Sequence, residues 1–421
     1  MARHASTPVT GPSLAWRLGL LYAALFLIVG CWLPYLPVWL EWRTLSADQI
    51  AILLATPLYG RILISPAISF AADRLGNRRL ILIALAWGSL ASFGLLWLSA
   101  GFWQMLLASV FVAVSATTLM PLTETVAISG IRRSGLDYGR VRLWGSLSFI
   151  AASLGAGLVI QRWGAETVLP MLLLATSFMV MAAYLVPRDL GRMSGLARAQ
   201  AVAPIRRLRL KDGYALARAP LFLLFLLAAS LIQGSHALLY AFGSLHWSAQ
   251  GFSGGTIGAL WSIGVVAEVA LFAASGRVIT RTGCARLLVF AGLATVLRWS
   301  LLAVDPPLWA TALLQTLHAM SFGAAHLAAI HFLTHAVPED RSATAQGLYA
   351  GVVAGLVMGS VTIVCGPLYG VLGGEAYAVM ALLAAFGTVA AMMLRRGWHG
   401  GLIVAPQPQS AGEGGKTSPS L

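Results

Sequence analysis

Apolar runs of about 20 residues recur along this chain, each long enough to cross the roughly 30 Å of hydrocarbon in a bilayer. They fall near 16–40, 48–72, 79–100, 102–129, 143–162, 166–186, 220–247, 254–275, 285–304, 308–336, 344–371 and 375–394. In lipid every backbone polar group must be satisfied internally, so only helices or a closed barrel can span, and runs of this length select helices. Of the 421 residues 10% are charged, and the mean hydropathy is +0.81. A soluble domain carries roughly 25% charge. The fold class is therefore an all-α integral membrane protein with twelve transmembrane helices. The first run, Leu18 to Leu40, is too long for a signal-peptide core and lacks a small-x-small cleavage site, so it is read as a spanning helix.

A net charge of +14 invites a nucleic-acid reading. The basic residues argue against it, because they sit in short loops rather than in one patch with interleaved aromatics. Of the 28 Lys and Arg, all but Arg43, Arg61, Arg162 and Arg298 fall in the tails and in the loops after even-numbered helices. Basic loops stay inside, which puts both termini in the cytoplasm. Cys31, Cys284 and Cys365 are widely spaced, and they form neither a disulfide framework nor a metal motif. No metal and no cofactor is expected.

The chain is one design written twice. Gly276-Arg-Val-Ile-Thr280-Arg281-Thr-Gly283 aligns with Ser69-Phe-Ala-Ala-Asp73-Arg74-Leu-Gly76, 207 residues earlier. At the same offset Arg61 falls on Glu268 and Glu124 on His331. Two pseudo-symmetric six-helix bundles follow, the arrangement in which secondary transporters hold a site between related repeats. The expected organisation is a cytoplasmic tail (1–15), a first bundle (16–186), a basic cytoplasmic linker (187–219), a second bundle (220–396) and a disordered tail (397–421). The linker could include a surface amphipathic helix around Ile205 to Leu216.

The loop Asp73-Arg74-Leu-Gly76-Asn-Arg78-Arg79 resembles the G-x-x-x-D-R-x-G-R-R signature of the major facilitator superfamily, with Ser69 at the first glycine and Thr280 replacing the aspartate in the second copy. That resemblance makes Asp73, Arg74, Gly76, Arg281 and Gly283 a conformational gate. A second resemblance rests on Leu136-Asp137-Tyr138-Gly139-Arg140-Val141-Arg142-Leu143-Trp144-Gly145-Ser146, Pro121-Leu-Thr-Glu124, Leu231-Ile-Gln-Gly-Ser-His236-Ala, Trp261-Ser-Ile-Gly-Val-Val-Ala-Glu268-Val and His326-Leu-Ala-Ala. These segments look like the 3-phenylpropionic acid transporter family, which is similar in turn to the lactose permease and nucleoside–proton symporter group.

Charge inside a span is costly and marks function by default. Arg61, Glu268, Arg298 and His318 stand at similar depth, with Glu268 and Arg298 the natural pair and His318 hydrogen-bonding into it. The resemblance implies the same trio, an acid, an arginine and a histidine on helices eight, nine and ten. Ser321 stands where proton–sugar symporters carry a second acid, so coupling falls to Glu268, His318 or Glu124. Glu124 could bridge to Arg140 or Arg142. Gln233, His236 and Tyr240 share one face by spacing i, i+3, i+7, and Trp261 shares the face of Glu268. Aromatics beside ionisable groups suit a small ring or a sugar. Trp39, Trp42, Trp103 and Trp309 read as interfacial anchors, and His331 with His335 as titrating groups rather than metal ligands.

The expected activity is not enzymatic, since HExxH, a P-loop and a Ser/His/Asp constellation are all lacking. It is proton-coupled symport of a small organic solute such as 3-phenylpropionate, in which Arg298 or Arg61 would bind the carboxylate. A sugar or nucleoside symporter and an efflux antiporter are the alternatives. The expected partners are substrate, protons and lipid, without nucleic acid, around a monomer.

Overall fold

The computed structural model describes residues 12–191 and 210–405. The first and last tail segments, most of the basic linker and the beginning of the surface helix expected from Ile205 lie outside the described residues. The first bundle contains α1 (Pro12–Trp42), α2 (Ala47–Leu75), α3 (Arg78–Leu98), α4 (Phe102–Ser134), α5 (Tyr138–Trp163) and α6 (Val168–Leu185). The second contains α7 (Pro220–Gly234, resuming at Ala237–Ala249), α8 (Gly254–Ala273) and α9 (Cys284–Leu302). It continues with α10 (Leu308–Thr316, a π turn at Ala319–Gly323, then Ala324–Ala336). Next come α11 (Glu339–Tyr349, a π stretch at Ala350–Val357, then Met358–Leu372) and α12 (Ala376–Gly397). A short helix, Leu210–Ala217, precedes α7.

Each helix falls on one of the twelve apolar runs. Among the described residues 10 stretches are long and apolar enough to span, and the longest, Arg341–Gly397, holds both α11 and α12. The remaining span is α2, which carries Asp48, Arg61, Asp73 and Arg74. Local chemistry sets the boundaries. Asn77, Asp137 and Ser253 accept from the amides of Leu80, Arg140 and Thr256, capping the starts of α3, α5 and α8. Gly135, with φ 62, closes α4 in a left-handed turn that any side chain would strain.

The internal repeat is visible in the backbone. Gly76 and Gly283 have φ of 65 and 70. Their amides donate to Ala72 O at 3.1 Å and Ile279 O at 2.8 Å, the same bond 207 residues apart. The bundles meet along α2 with α11, α5 with α8 and α1 with α7, and the first two contacts are exchanged by that offset. No other helix pair from opposite bundles makes more than an incidental contact among the described residues.

Glycine makes these contacts close, as small residues do between helices in lipid. A Cβ on Gly157 would strike the carbonyl oxygen of Gly254, and one on Gly258 that of Ser153. Tyr35 of α1 donates to Ser153 O at 2.7 Å within the first bundle and reaches Gly254 O across the seam at 3.4 Å. On the other flank Gly366 packs on Ala51 and Asp48, and Gly355 on Ile62. These approaches run from the face holding Trp42 and Trp163 to mid-span, so the wedge between the bundles opens toward the face that holds Pro12 and Gly397.

One anchor expectation is corrected. Trp42, Trp103 and Trp309 are 50%, 77% and 72% exposed at span ends, but Trp39 is only 1% exposed. Trp39 sits one turn inside the end of α1, beneath the Arg43 guanidinium at 5.0 Å.

Gly254→Val is expected to force α5 and α8 apart, at a cost of about 1–3 kcal/mol to the seam. Ser153→Cys, at a position fully buried here, would then react with a membrane-impermeant maleimide in the double variant. A thiol that stays unreactive would contradict this account of the seam.

Candidate functional site

The site in the second bundle forms where its helices are irregular. After Gly234 the helix α7 breaks and resumes at Ala237, and α10 widens into its π turn directly after His318. Such bulges recur at functional sites because they re-aim side chains. Between them lies Arg298 of α9, which is fully buried.

Arg298 is held by three side chains. One terminal nitrogen donates to Gln315 Oε1 at 2.7 Å. The other donates to Ser321 Oγ at 3.1 Å and lies 3.2 Å from His318 Nδ1. The guanidinium also stands 4.7 Å over the ring of Trp299, a cation–π contact strengthened by burial. Because Arg298 can only donate, His318 must accept at Nδ1, and its proton is on Nε2. That nitrogen is 3.4 Å from Glu268 Oε2. The chain from arginine to carboxylate therefore passes through a neutral imidazole.

A second branch leaves through Ser321. Its hydroxyl is 3.2 Å from His236 Nε2, and His236 Nδ1 lies 3.1 Å from Ile232 O. The proton on Nδ1 faces that carbonyl, so Nε2 accepts from Ser321. Around this network His318 and Phe322 stack at 5.2 Å, His236 packs edge-on to Trp299 at 4.9 Å, and Trp299 donates to Ser235 at 2.9 Å.

The direct Glu268–Arg298 pair expected from the sequence is not formed. His318 stands between the two, with Nδ1 toward Arg298 and Nε2 toward Glu268. The shared face of Gln233, His236 and Tyr240 is also split. His236 and Tyr240 remain neighbours at 6.0 Å. The break in α7 separates Gln233 from them, and it is buried with Oε1 unpartnered among the described residues. Trp261 backs the site rather than flooring it. Its indole is 7% exposed, donates to Ser244 at 2.9 Å and stacks behind Tyr240 at 6.2 Å.

In the first bundle Glu124 accepts from Tyr22 at 2.6 Å and from Tyr138 at 3.2 Å. Arg142 Nε lies 3.6 Å from its other oxygen, with the guanidinium 4.1 Å over Phe26. Of the two arginines considered for Glu124, Arg142 is the partner. Arg61 is exposed and has no hydrogen-bond or ion-pair partner among the described residues. In the gate motif Gly76 and Gly283 make the matched turns, and Arg74 and Arg281 are exposed. The side chain of Asp73 lies outside the described residues. His331 and His335 stack at 5.9 Å toward the end of α10, away from this cluster.

Sequence reasoning missed Tyr22, Tyr138, Gln315, Phe322 and Trp299. Gln315 and Phe322 stand three before and four after His318, a spacing that marks them as its neighbours on a helix. Trp299 adjoins Arg298, and Tyr138 lies inside a quoted motif. Nothing near Tyr22 signals its role.

Residues 15–379 match the model of the MFS_1 like family. The chain belongs to that family. It is a secondary transporter of the major facilitator type, and its relatives are transporters rather than enzymes. It is 30% identical over 384 residues to the probable 3-phenylpropionic acid transporter of Escherichia coli (strain K12), covering 90% of this chain and 96% of that one. The maltose permease of Geobacillus stearothermophilus is 29% identical, over 83% of this chain and 86% of the permease. The crystal structure of the nucleoside transporter NupG superposes with a TM-score of 0.77 at 17% identity, over 91% of this chain and 98% of that chain. At that identity the likeness concerns the fold.

Arg298→Leu would leave Gln315 and the His318–Glu268 pair buried without their donor. It should cost about 3–5 kcal/mol, read as a lowered thermal-unfolding midpoint in detergent. Tyr22→Phe removes one hydrogen bond to the partly exposed Glu124 and should cost roughly 1 kcal/mol. An Arg298→Leu midpoint equal to that of the parent would refute the network.

Proposed function

We propose that this transporter is a proton-coupled symporter of a small aromatic acid such as 3-phenylpropionate. It stands in a bacterial inner membrane with both termini cytoplasmic, so the wedge between the bundles opens to the cytoplasm. The observation that carries the coupling is the neutral His318 between Arg298 and Glu268. With Arg298 donating to Nδ1, a proton added to the relay goes to Glu268, the member of the chain that can still accept one. Glu268 is 21% exposed and so reachable from the wedge, whereas Arg298 is not.

Protonation of Glu268 removes the charge opposite Arg298 and weakens its hold through His318, which couples proton load to the packing of α8 against α10. One proton moving inward gains about 2.3 kcal/mol per 100 mV of potential, enough to drive accumulation. The aromatic reading rests on the relative named above and on the rings of Tyr240 and Phe322 beside the relay. A second reading, a sugar symporter, draws on the likeness to the maltose permease, with Glu124 and Arg142 as partners for hydroxyls.

Uptake of labelled 3-phenylpropionate into energised vesicles should saturate and collapse with an uncoupler. Glu268→Gln should lower uphill accumulation at least tenfold while leaving exchange of substrate across the membrane intact. Uptake unaffected by the uncoupler would remove the coupling, and uptake of maltose alone would remove the aromatic acid.

A further inference from the structure

The first bundle contains an intramembrane cation that the relay does not use. Arg61 lies mid-way along α2, and the residues beside it are packed on both sides. Gly60 abuts Ala113 of α4, and Ile62 abuts Gly355 of α11. The Arg61 side chain is solvent-exposed between these two packed neighbours, on the part of α2 that lies between α4 and α11. An exposed cation is admitted at mid-span where it faces water between the bundles and not lipid, which sets Arg61 on the wall of the wedge.

The charge balance singles it out. Glu124 is met by Arg142, and Glu268 is tied to Arg298 through His318. Arg61 has no such partner among the described residues. An uncompensated arginine at this depth is costly. Its repeat mate is Glu268, 207 residues on, so the pseudo-symmetry of the bundles sets the two on opposite walls of the wedge at one depth. Arg298 cannot serve as a substrate anchor in its place, because it is fully buried and committed to Gln315, Ser321 and His318.

We infer that Arg61 is the anchor for the cargo's carboxylate, and that the cargo is a monoanion. This rests on the symporter reading above and narrows it to one residue and one charge state. A guanidinium fork matches a carboxylate in two parallel hydrogen bonds. The apolar body of the cargo then points across the wedge toward Tyr240 and Phe322. A neutral sugar would leave Arg61 uncompensated, whereas a single carboxylate neutralises it.

The test compares two probes of one shape, 3-phenylpropionate and its neutral amide, for binding to purified full-length protein. The parent should prefer the acid at least tenfold. Arg61→Gln should bind acid and amide within a factor of about three, and Arg61→Lys should keep the preference while losing several-fold affinity. Equal unfolding midpoints would establish that the variants fold. In the unmutated protein the acid, and not the amide, should protect Arg61 from phenylglyoxal, read by peptide mass. An Arg61→Gln protein that retains the preference, or unprotected Arg61, would overturn the anchor while leaving aromatic-acid transport standing. A parent that binds the amide as tightly as the acid, or takes only sugars, would overturn both.

Discussion

A guanidinium buried in the membrane core has to be met by acceptors, and the second bundle is shaped around meeting that demand at Arg298. Its partners come from one helix, α10, at positions 315, 318 and 321. A regular α-helix rotates about 100° per residue and would spread them over a wide arc. The π turn after His318 alters that rotation, and the break in α7 swings His236 in to cap Ser321. Both departures from ideal helix geometry thus fall where the partners of one buried charge are gathered. In lipid, such irregular backbone is tolerated only where protein or a wet cavity covers it.

The two bundles solve the same problem differently. In the second the arginine is buried and the acid about one-fifth exposed, with an imidazole between them. In the first, Glu124 and Arg142 are both about a quarter exposed, supported by tyrosine hydroxyls and the face of Phe26. Partial exposure keeps that pair cheap to form and weak, whereas the buried relay is tightly held. Duplicated backbone thus carries a buried cation in one bundle and a partly exposed ion pair in the other.

All twelve helices were legible in the sequence, because lipid leaves a spanning segment no alternative to a helix and hydropathy reports length directly. The gate loops were legible too, since glycine at 76 and 283 meets the same left-handed turn twice. The charged residues of the relay stood out for their cost alone. What hydropathy could not reveal was register. The run 308–336 reads the same with or without a π turn, so the sequence paired Glu268 directly with Arg298 and set His318 beside the pair rather than between its members. Gln233 was misplaced for a similar reason, as helical spacing assumes an unbroken α7. Trp39 was misjudged by a single turn of helix.

The seam between α5 and α8 has a kinetic consequence. Backbone meets backbone there at Gly157, Gly254 and Gly258, and the side chains bonded across it are Tyr35, to Gly254 O, and Gln161, to the amide of Gly255. For the two helices to part, the hydrogen bonds of Tyr35 and Gln161 must break and Leu158 must leave the space over Gly255. Any added bulk at these glycines therefore acts on the contact that must open and close, rather than on the charged walls behind it.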